Sequence, residues 1–308
     1  MGHVVRMLSL AVALEAGGVR VVFALGERSG GASDAIDAAN FERRVVRGGF
    51  DAAAAAELQA VARAAGTRRA IVDHYDAGVS YFKSLRERGM EAGVIDDLAD
   101  RDLRDASWIM NPAPGFGLDS YASFESQDLL LGPSYALLRE DFARARKRLR
   151  RTFDTADANV AVMFGGGQTG ELSERTRAAL TRTERPPEIR VAAGLSATQM
   201  CDLMEWADVA ISAGGQTCWE LACMGVSAIV VTLAENQVAN VRAVVTCGFG
   251  IDAGPWNGET TPARVAALAA DLLEDAARRE LMSKAGASLI DGMGAGRAAR
   301  ELRNRWQA

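Results

Sequence analysis

Short runs of β-branched and other apolar residues alternate along the chain with longer segments rich in Ala, Leu and Arg. This alternation is typical of parallel strands whose connecting helices cover both faces of a sheet. Apolar residues at helical spacing predict a helix over 4–16 that ends at a Gly pair, and a buried strand follows over 19–25. The same reasoning predicts helices over 52–65 and 79–88 and strands over 70–72 and 90–95.

A basic helical stretch over 134–151 separates this series from a second one, and few large apolar residues follow it over 152–159. We therefore predict an α/β protein with two Rossmann-like domains, residues 1–152 and 153–308, and a cleft between them. The second series predicts strands over 160–164, 189–192, 209–211 and 228–232, helices over 171–183, 198–206, 217–224 and 236–247, and a long helical end from about Pro262.

Composition narrows the classes of function. Of the 308 residues 49% are hydrophobic, which is enough to fill real cores, and the net charge of −5 argues against a nucleic-acid partner. The longest apolar runs are far shorter than the roughly 20 residues that cross a bilayer, and no secretory leader is apparent, so we expect a cytoplasmic protein without a membrane span. The four cysteines form no CxxC pair and there are two histidines, so we expect neither a metal site nor another cofactor.

Three turns in the second half follow predicted strands at one edge of the sheet. Glycines between a strand and a helix let phosphate oxygens approach backbone N–H groups, so Gly214 and Gly215 are candidate anion ligands, although a tight packing turn has the same sequence. Glu220 lies inside the following helix, where a carboxylate can bind a ribose diol; an ordinary surface Glu is the alternative. Two further turns could add donors at this edge: Gly165 with Gly166, and Glu235, Asn236 and Gln237, which could equally be a helix cap.

In the first half, His3 lies in the first turn of the predicted helix, where the helix dipole disfavours the charged imidazole. A neutral histidine can act as a base, although an exposed terminal histidine without a role fits the sequence as well. Asp73 and Tyr75 follow a predicted strand, and Asp96 and Asp97 follow the next, so carboxylates and a phenol face the same opening or serve as turn formers.

Four segments, in this order, resemble the UDP-sugar hydrolases of pseudaminic acid biosynthesis: GHVVR at 2–6, LGPSYALLR at 131–139, SAGGQTCWEL at 212–221 and LAENQ at 233–237. The resemblance covers most of the chain. It implies a GT-B fold, akin to the transferase that adds N-acetylglucosamine to the peptidoglycan lipid precursor. It also implies metal-independent, inverting hydrolysis of UDP-2,4-diacetamido-2,4,6-trideoxy-β-L-altropyranose to the free sugar and UDP.

The resemblance also implies roles for individual residues. His3 matches the histidine that activates or positions water, and Tyr75 matches a tyrosine near the sugar. The turn at Gly214 and Gly215 matches the pyrophosphate site and Glu220 the ribose ligand. Residues expected to border the substrate are Gly2, Arg6, Asp73, Gly165, Gly166, Thr217, Glu235, Asn236 and Gln237.

The chain departs from the family in two places. The family carries a strand and a Gly-rich turn ahead of its Gly-His motif, so the first strand of the first domain is expected to be missing. The stretch between Gly167 and Val209 is also shorter by about one strand–helix unit. Two alternatives stay open beside hydrolysis: a GT-B glycosyltransferase with a UDP-sugar donor, and a catalytically defective nucleotide-sugar binder.

Overall fold

The computed structural model describes residues 2–27, 29–153, 159–165 and 170–307. The chain divides into two compact units, residues 1–137 with 294–308, and residues 138–293. This division differs from the predicted boundary after residue 152, because α5 (Glu140–Arg148) packs on helices of the second unit. Arg146 reinforces that attachment by donating hydrogen bonds to the carbonyls of Cys223 and Ile290. The C-terminal helix, in turn, belongs to the first unit.

The first unit alternates helices and parallel strands. Its helices are α1 (Gly2–Ala16), α2 (Gly30–Ala38), α3 (Ala52–Ala64), α4 (Val79–Glu87) and, from the end of the chain, α12 (Gly294–Gln307). Its strands are β1 (Val22–Gly26), β2 (Glu42–Val46), β3 (Arg69–Val72), β4 (Glu91–Ile95), β5 (Trp108–Asn111) and β6 (Leu129–Leu131). Of the predicted basic helical stretch, α5 and the 3₁₀ turn Pro133–Tyr135 are helical.

The strands of the first unit form two separate parallel sheets, in the orders β1-β2 and β3-β4-β5-β6. In the described ranges, β1 pairs with β2 alone and β3 with β4 alone. The sheet of this unit is therefore interrupted between β1 and β3.

Two apolar layers cover the four-stranded sheet. Val94 and Ile109 pack on one face with Phe82 of α4, and all three side chains are fully buried. On the other face, Trp108 packs with α1 and α12. Gly93 has to lack a side chain, because a Cβ there would overlap the Trp108 ring.

The second unit contains one five-stranded parallel sheet in the order β11-β10-β9-β7-β8. Its strands are β7 (Asn159–Met163), β8 (Glu188–Val191), β9 (Val209–Ala213), β10 (Ser227–Thr232) and β11 (Gly250–Pro255). Its helices are α5, α6 (Gly170–Leu180), α7 (Ala197–Trp206), α8 (Thr217–Cys223), α9 (Val238–Thr246), α10 (Thr261–Glu274) and α11 (Ala276–Leu289). The three central strands are almost wholly buried, as parallel strands covered on both faces should be.

The predicted long helical end is three helices, α10, α11 and α12. Asp275 separates the first two, because its side chain accepts a hydrogen bond from the N–H of Arg278 and caps α11. Gly292, at a φ of +78°, separates the last two and lies where a Cβ would be 3.0 Å from the Ala143 Cα. None of the described helices has the length and apolarity needed to cross a bilayer.

Candidate functional site

In the first unit, the predicted histidine contacts a carboxylate that follows β3. His3 Nδ1 lies 2.7 Å from Asp73 Oδ1. The Asp73 side chain is 3% exposed, whereas that of His3 is 35% exposed and open to solvent. Because a carboxylate only accepts hydrogen bonds, we assign the proton of neutral His3 to Nδ1, which leaves the lone pair on Nε2. The pair therefore has the arrangement of an oriented general base.

Arg6, one turn further along α1, links the carboxylates that follow β3 and β4. Its Nε donates to Asp73 Oδ2 over 2.8 Å, and its Nη1 donates to Asp97 Oδ1 over 2.7 Å. Burial lowers the pKa of Arg6, but the hydrogen bonds and charges of Asp73 and Asp97 raise it more, so the guanidinium stays charged. Sequence reasoning placed Arg6 beside the substrate, whereas the structure shows it as the centre of a charged network.

The pKa of Asp73 reflects the same contacts. Burial raises the pKa of Asp73, but the hydrogen bonds from Arg6 and His3 lower it by more. The net pKa therefore lies below the ordinary value of an aspartate. Asp73 is therefore ionised at neutral pH. An ionised carboxylate on Nδ1 stabilises the imidazolium that forms when Nε2 takes a proton.

Tyr75 joins this network through its hydroxyl and its ring. Its Oη donates to Asp97 Oδ2 over 3.2 Å. Its ring stands edge-on to the imidazole of His3, with 4.9 Å between the ring centroids. The structure thus brings together four of the predicted residues of this half, His3, Arg6, Asp73 and Tyr75, while Gly2 lies exposed at the start of α1.

The adjacent carboxylates Asp96 and Asp97 have different surroundings. Asp97 faces Arg6 and Tyr75, as described above. Asp96 is 1% exposed and accepts hydrogen bonds from the Tyr121 hydroxyl over 2.7 Å and from Arg101 over 2.8 Å. Asp96 therefore holds the loops behind the sheet edge together, and only Asp97 belongs to the His3 network.

In the second unit, the expected turn is present between β9 and α8. Gly214 N–H donates to the Val231 carbonyl over 3.1 Å, and Gly215 N–H donates to that of Ala213 over 2.8 Å. Both N–H groups thus donate hydrogen bonds within the protein, and phosphate binding at this turn stays a prediction. A Cβ at Gly214 would lie 2.6 Å from Val241 Cγ2, so this glycine allows α9 to pack closely on the turn.

Gly215 differs from its neighbour, because a Cβ there would meet no atom of the described residues within 4 Å. Within the part of the chain that the structure describes, the side of the turn that Gly215 presents is open. Thr217 begins α8 just beyond it.

The segment after β10 lies beside this turn, as the sequence predicted from the shared sheet edge. It forms a 3₁₀ turn, Glu235–Gln237, in which Glu235 and Asn236 are exposed. Gln237 Oε1 accepts a hydrogen bond from the N–H of Leu233 over 2.9 Å, so its amide fixes the loop. Asn240, which the sequence did not single out, donates to the Gly214 carbonyl over 3.1 Å. Gly165 follows β7 at the same edge with a φ of +88°, and Gly166 lies outside the described residues.

Glu220 is buried in α8 and forms an ion pair with an arginine from just before α5. Arg139 Nη2 donates to Glu220 Oε1 over 2.9 Å. Burial raises the pKa of Glu220, and the charge and hydrogen bond of Arg139 offset this only partly. Sequence reasoning assigned no role to Arg139, and the one available signal was its position at the end of the 131–139 segment.

Within the described ranges, no group of three or more His, Cys, Asp or Glu is placed to hold a metal ion.

Comparisons with known proteins agree with this architecture. Residues 145–293 match the glycosyltransferase family 28 C-terminal domain. Over nearly their full lengths, the chain superposes on MurG of Acinetobacter baumannii with a TM-score of 0.71, 16% identity, and coverage of 98% of this chain and 96% of that one. The fold is of the GT-B type. The spinosyn rhamnosyltransferase SpnG, complexed with thymidine diphosphate, has the same fold, with a TM-score of 0.65, 15% identity, and 97% and 96% coverage.

One curated relative is similar in sequence. It is the spore coat polysaccharide biosynthesis protein SpsG of Bacillus subtilis (strain 168), 26% identical over 190 residues. The match spans about half of each protein, 53% of this chain and 54% of the relative. The chain is thus a GT-B protein with a family-28-like second unit, as the resemblance implied for the fold.

Proposed function

We propose that this chain is an enzyme that hydrolyses a UDP-activated sugar. The observation that carries the proposal is the contact of 2.7 Å between His3 Nδ1 and the buried Asp73. This contact leaves Nε2 as a base on a partly exposed ring at the carboxyl edge of a parallel sheet. Such edges are where ligands bind in open α/β folds.

The proposed reaction needs one activated water and one stabilised leaving group. The water oxygen attacks the anomeric carbon, His3 Nε2 takes a proton from the water, and Asp73 stabilises the resulting imidazolium. The bond from the anomeric carbon to the diphosphate oxygen breaks, and its electron pair leaves with UDP. Attack opposite the leaving group inverts the anomeric centre. Tyr75, edge-on to His3, borders the sugar.

The second unit is proposed to hold the nucleotide. Glu220 accepts hydrogen bonds from the ribose diol, and Arg139 keeps its carboxylate in place. The open side of Gly215, together with Thr217 and the 235–237 turn, faces the diphosphate. The match of residues 145–293 to the family 28 C-terminal domain supports this assignment.

The proposed sugar is the diacetamido-trideoxy-altropyranose of pseudaminic acid biosynthesis. Support comes from the four segments that resemble that hydrolase family, two of which contain the His3 and Glu220 sites. The name of the Bacillus subtilis relative refers to polysaccharide biosynthesis, which is consistent with a sugar-nucleotide pathway.

A second candidate is a glycosyltransferase that passes the sugar to an acceptor hydroxyl. The family 28 match and the fold shared with the spinosyn rhamnosyltransferase favour it to the same degree. In that reaction, His3 would take the proton from the acceptor hydroxyl instead of from water. The two candidates therefore differ in the nucleophile and share the base.

Incubation of the protein with the UDP-sugar alone, with UDP release followed by a coupled assay, tests the proposal. We expect steady release without acceptor, and a decrease of about 10²–10⁴-fold in His3→Ala with UDP affinity retained. His74→Ala, which changes the other histidine of the chain, is the matched control and should keep its activity. Release that requires an added acceptor would establish the transferase, and full activity in His3→Ala would refute the assigned base.

A further inference from the structure

The segment that carries Asp73 and Tyr75 has no regular secondary structure. It covers residues 73–78, between the end of β3 and the start of α4. Neither a sheet ladder nor a helix fixes its carbonyl groups, and buried carbonyl groups need hydrogen-bond partners. The position of both side chains beside His3 therefore depends on the contacts that hold this backbone in place.

Arg101, from the loop after β4, donates to three carbonyls of this segment. Its Nη1 lies 2.7 Å from the carbonyl oxygens of His74 and Tyr75 and 3.0 Å from that of Ala77. Its Nη2 donates to Asp96 Oδ1 over 2.8 Å. The Arg101 side chain is 15% exposed, and that of Asp96 is fully buried. One guanidinium therefore joins the backbone after β3 to a carboxylate after β4, a contact that suits its planar fork of donors.

Asp96 is itself held through its second oxygen. Asp96 Oδ2 accepts hydrogen bonds from the Tyr121 hydroxyl over 2.7 Å and from the Ala99 N–H over 2.9 Å. The Tyr121 oxygen accepts a hydrogen bond in turn from Asn111 Nδ2 over 2.8 Å. Burial, followed by the charge of Asp96, raises the pKa of Tyr121, so its hydroxyl stays protonated and keeps donating. Both oxygens of the carboxylate that orients Arg101 are thus bound.

Tyr75 is held at two points by adjacent carboxylates. Its hydroxyl donates to Asp97 Oδ2 over 3.2 Å, and its carbonyl is connected to Asp96 through Arg101. Asp73, two residues earlier in the same segment, is the partner of the proposed base. A change in the backbone at Tyr75 would therefore move the Tyr75 ring and the Asp73 carboxylate together.

We propose that Arg101 is a positioning residue for the proposed reaction, and this inference rests on the proposed function. Arg101 holds residues 73–77 in place. In that position, Asp73 keeps the proton of His3 on Nδ1, and Tyr75 keeps its ring edge-on to the imidazole. Arg101 acts through this segment and not by contact with the substrate. Its loss should therefore lower kcat and leave UDP affinity unchanged, because the nucleotide is proposed to bind to the second unit.

Substitution of Arg101 by lysine in the full chain tests this proposal. Arg101→Lys keeps a positive charge beside Asp96, so its Tm should stay close to that of the wild type, but lysine lacks the planar fork. A displacement of about 1 Å can cost about 100-fold in rate, so we expect kcat per folded enzyme to fall by about 10–100-fold. Calorimetry should show unchanged UDP affinity. Arg104→Met is the matched control: its ion pair with Asp102 is exposed, and it should keep its kcat.

A second variant, Tyr121→Phe, leaves Arg101 intact. It removes one hydrogen bond from Asp96 and keeps the aromatic ring, so we expect a smaller decrease in kcat, of about 3–10-fold. Full kcat in a folded Arg101→Lys protein would overturn the proposal. Should Arg101→Lys not fold, full kcat in Tyr121→Phe would overturn it.

NMR of the imidazole nitrogens distinguishes this inference from the proposed reaction. The chain has two histidines, and the shifts of Nδ1 and Nε2 report which nitrogen carries the proton. We expect His3 to hold its proton on Nδ1 in the wild type and in Arg104→Met, and to lose this preference in Arg101→Lys. Unchanged His3 signals in Arg101→Lys would overturn the positioning role. If the wild type releases no UDP but the His3 signals respond to Arg101→Lys, the proposed function fails and the positioning of His3 through Arg101 stands.

Discussion

Arg139 and Glu220 are 81 residues apart in the chain and form a partly buried ion pair, with 2.9 Å between Nη2 and Oε1. The Glu220 side chain is 5% exposed and that of Arg139 is 27% exposed. The pair connects the segment before α5 to the centre of α8, within the second unit. Glu220 therefore has an ion-pair partner within the protein, in addition to the ribose that we propose it binds.

We expect Arg139→Met to destabilise the protein, because it leaves the Glu220 carboxylate buried without its cation. Removal of one partner of a buried pair costs about 3–5 kcal/mol, and the partial exposure of Arg139 favours the lower end. Urea unfolding of the wild type and the variant measures the loss. Arg144→Met is the matched control: its ion pair with Glu140 is exposed, so its effect should stay within about 0.5 kcal/mol.

A double variant distinguishes the interaction energy of the ion pair from the contribution that the packing of each side chain makes to stability. Arg139→Met combined with Glu220→Gln removes both charges and should recover part of the stability lost in Arg139→Met. Strict additivity of the two single effects would contradict a direct interaction. UDP affinity should fall in every variant that changes Glu220, whether or not stability recovers.

The shifted pKa of Asp73 predicts a stability difference that depends on pH. The folded-state pKa lies below the ordinary value of 3.8, so ionised Asp73 stabilises the fold fully at a pH above that value. This stabilisation is lost as the pH falls through the folded-state pKa. We expect Asp73→Asn to be less stable than the wild type at neutral pH and the difference to shrink in acid, as measured by thermal unfolding from pH 7 to pH 2. A difference independent of pH would contradict the assignment.

Asp73→Asn should also reduce turnover, because an amide no longer fixes the proton on His3 Nδ1 or stabilises the imidazolium. By analogy with other oriented histidines, we expect a decrease of about 10²–10⁴-fold in kcat with UDP affinity unchanged. Asp76→Asn is the control, since Asp76 is exposed and lies three residues away. A decrease in UDP affinity with kcat retained would assign Asp73 to binding instead of to catalysis.

Sequence patterns predicted elements with strong periodicity and missed those without it. The predicted helices 4–16, 52–65 and 217–224 correspond to α1, α3 and α8 within two residues at each end. β2 was missed because its charged residues break the apolar run, and β11 was missed because its Gly and Pro residues suggest a turn. Pairing with β1 and with β10 makes these segments strands, and a one-dimensional pattern does not contain that pairing.

The candidate site likewise has features that the sequence predicted and features that it did not. Sequence reasoning placed His3 at a helix start and Asp73 at a strand end, because local patterns carry both positions. It did not predict that these two residues meet, nor that Arg139 reaches Glu220, because such contacts depend on the crossover geometry of the folded chain. Packing also changes the explanation of Gly214, whose lack of a side chain is required by Val241.

The two glycines of the β9–α8 turn should therefore respond differently to the same substitution. Gly214→Ala places a Cβ 2.6 Å from Val241 Cγ2 and 3.2 Å from the Gln237 carbonyl oxygen, so we expect a loss of about 1–3 kcal/mol in the free energy of unfolding. The methyl group of Gly215→Ala meets no atom of the described residues within 4 Å, so this variant should leave stability within about 0.5 kcal/mol.

Measurements of UDP binding distinguish the packing role of Gly214 from the diphosphate-binding role that is proposed for Gly215. Calorimetry should show weaker UDP binding in Gly215→Ala, because the added methyl group occupies the open side that is proposed to face the diphosphate. Val241→Ala should recover part of the stability of Gly214→Ala by removing the methyl group in the way. If Gly215→Ala binds UDP as tightly as the wild type, the diphosphate does not approach this side of the turn. If Val241→Ala gives no recovery, the overlap with α9 is not the cause of the loss.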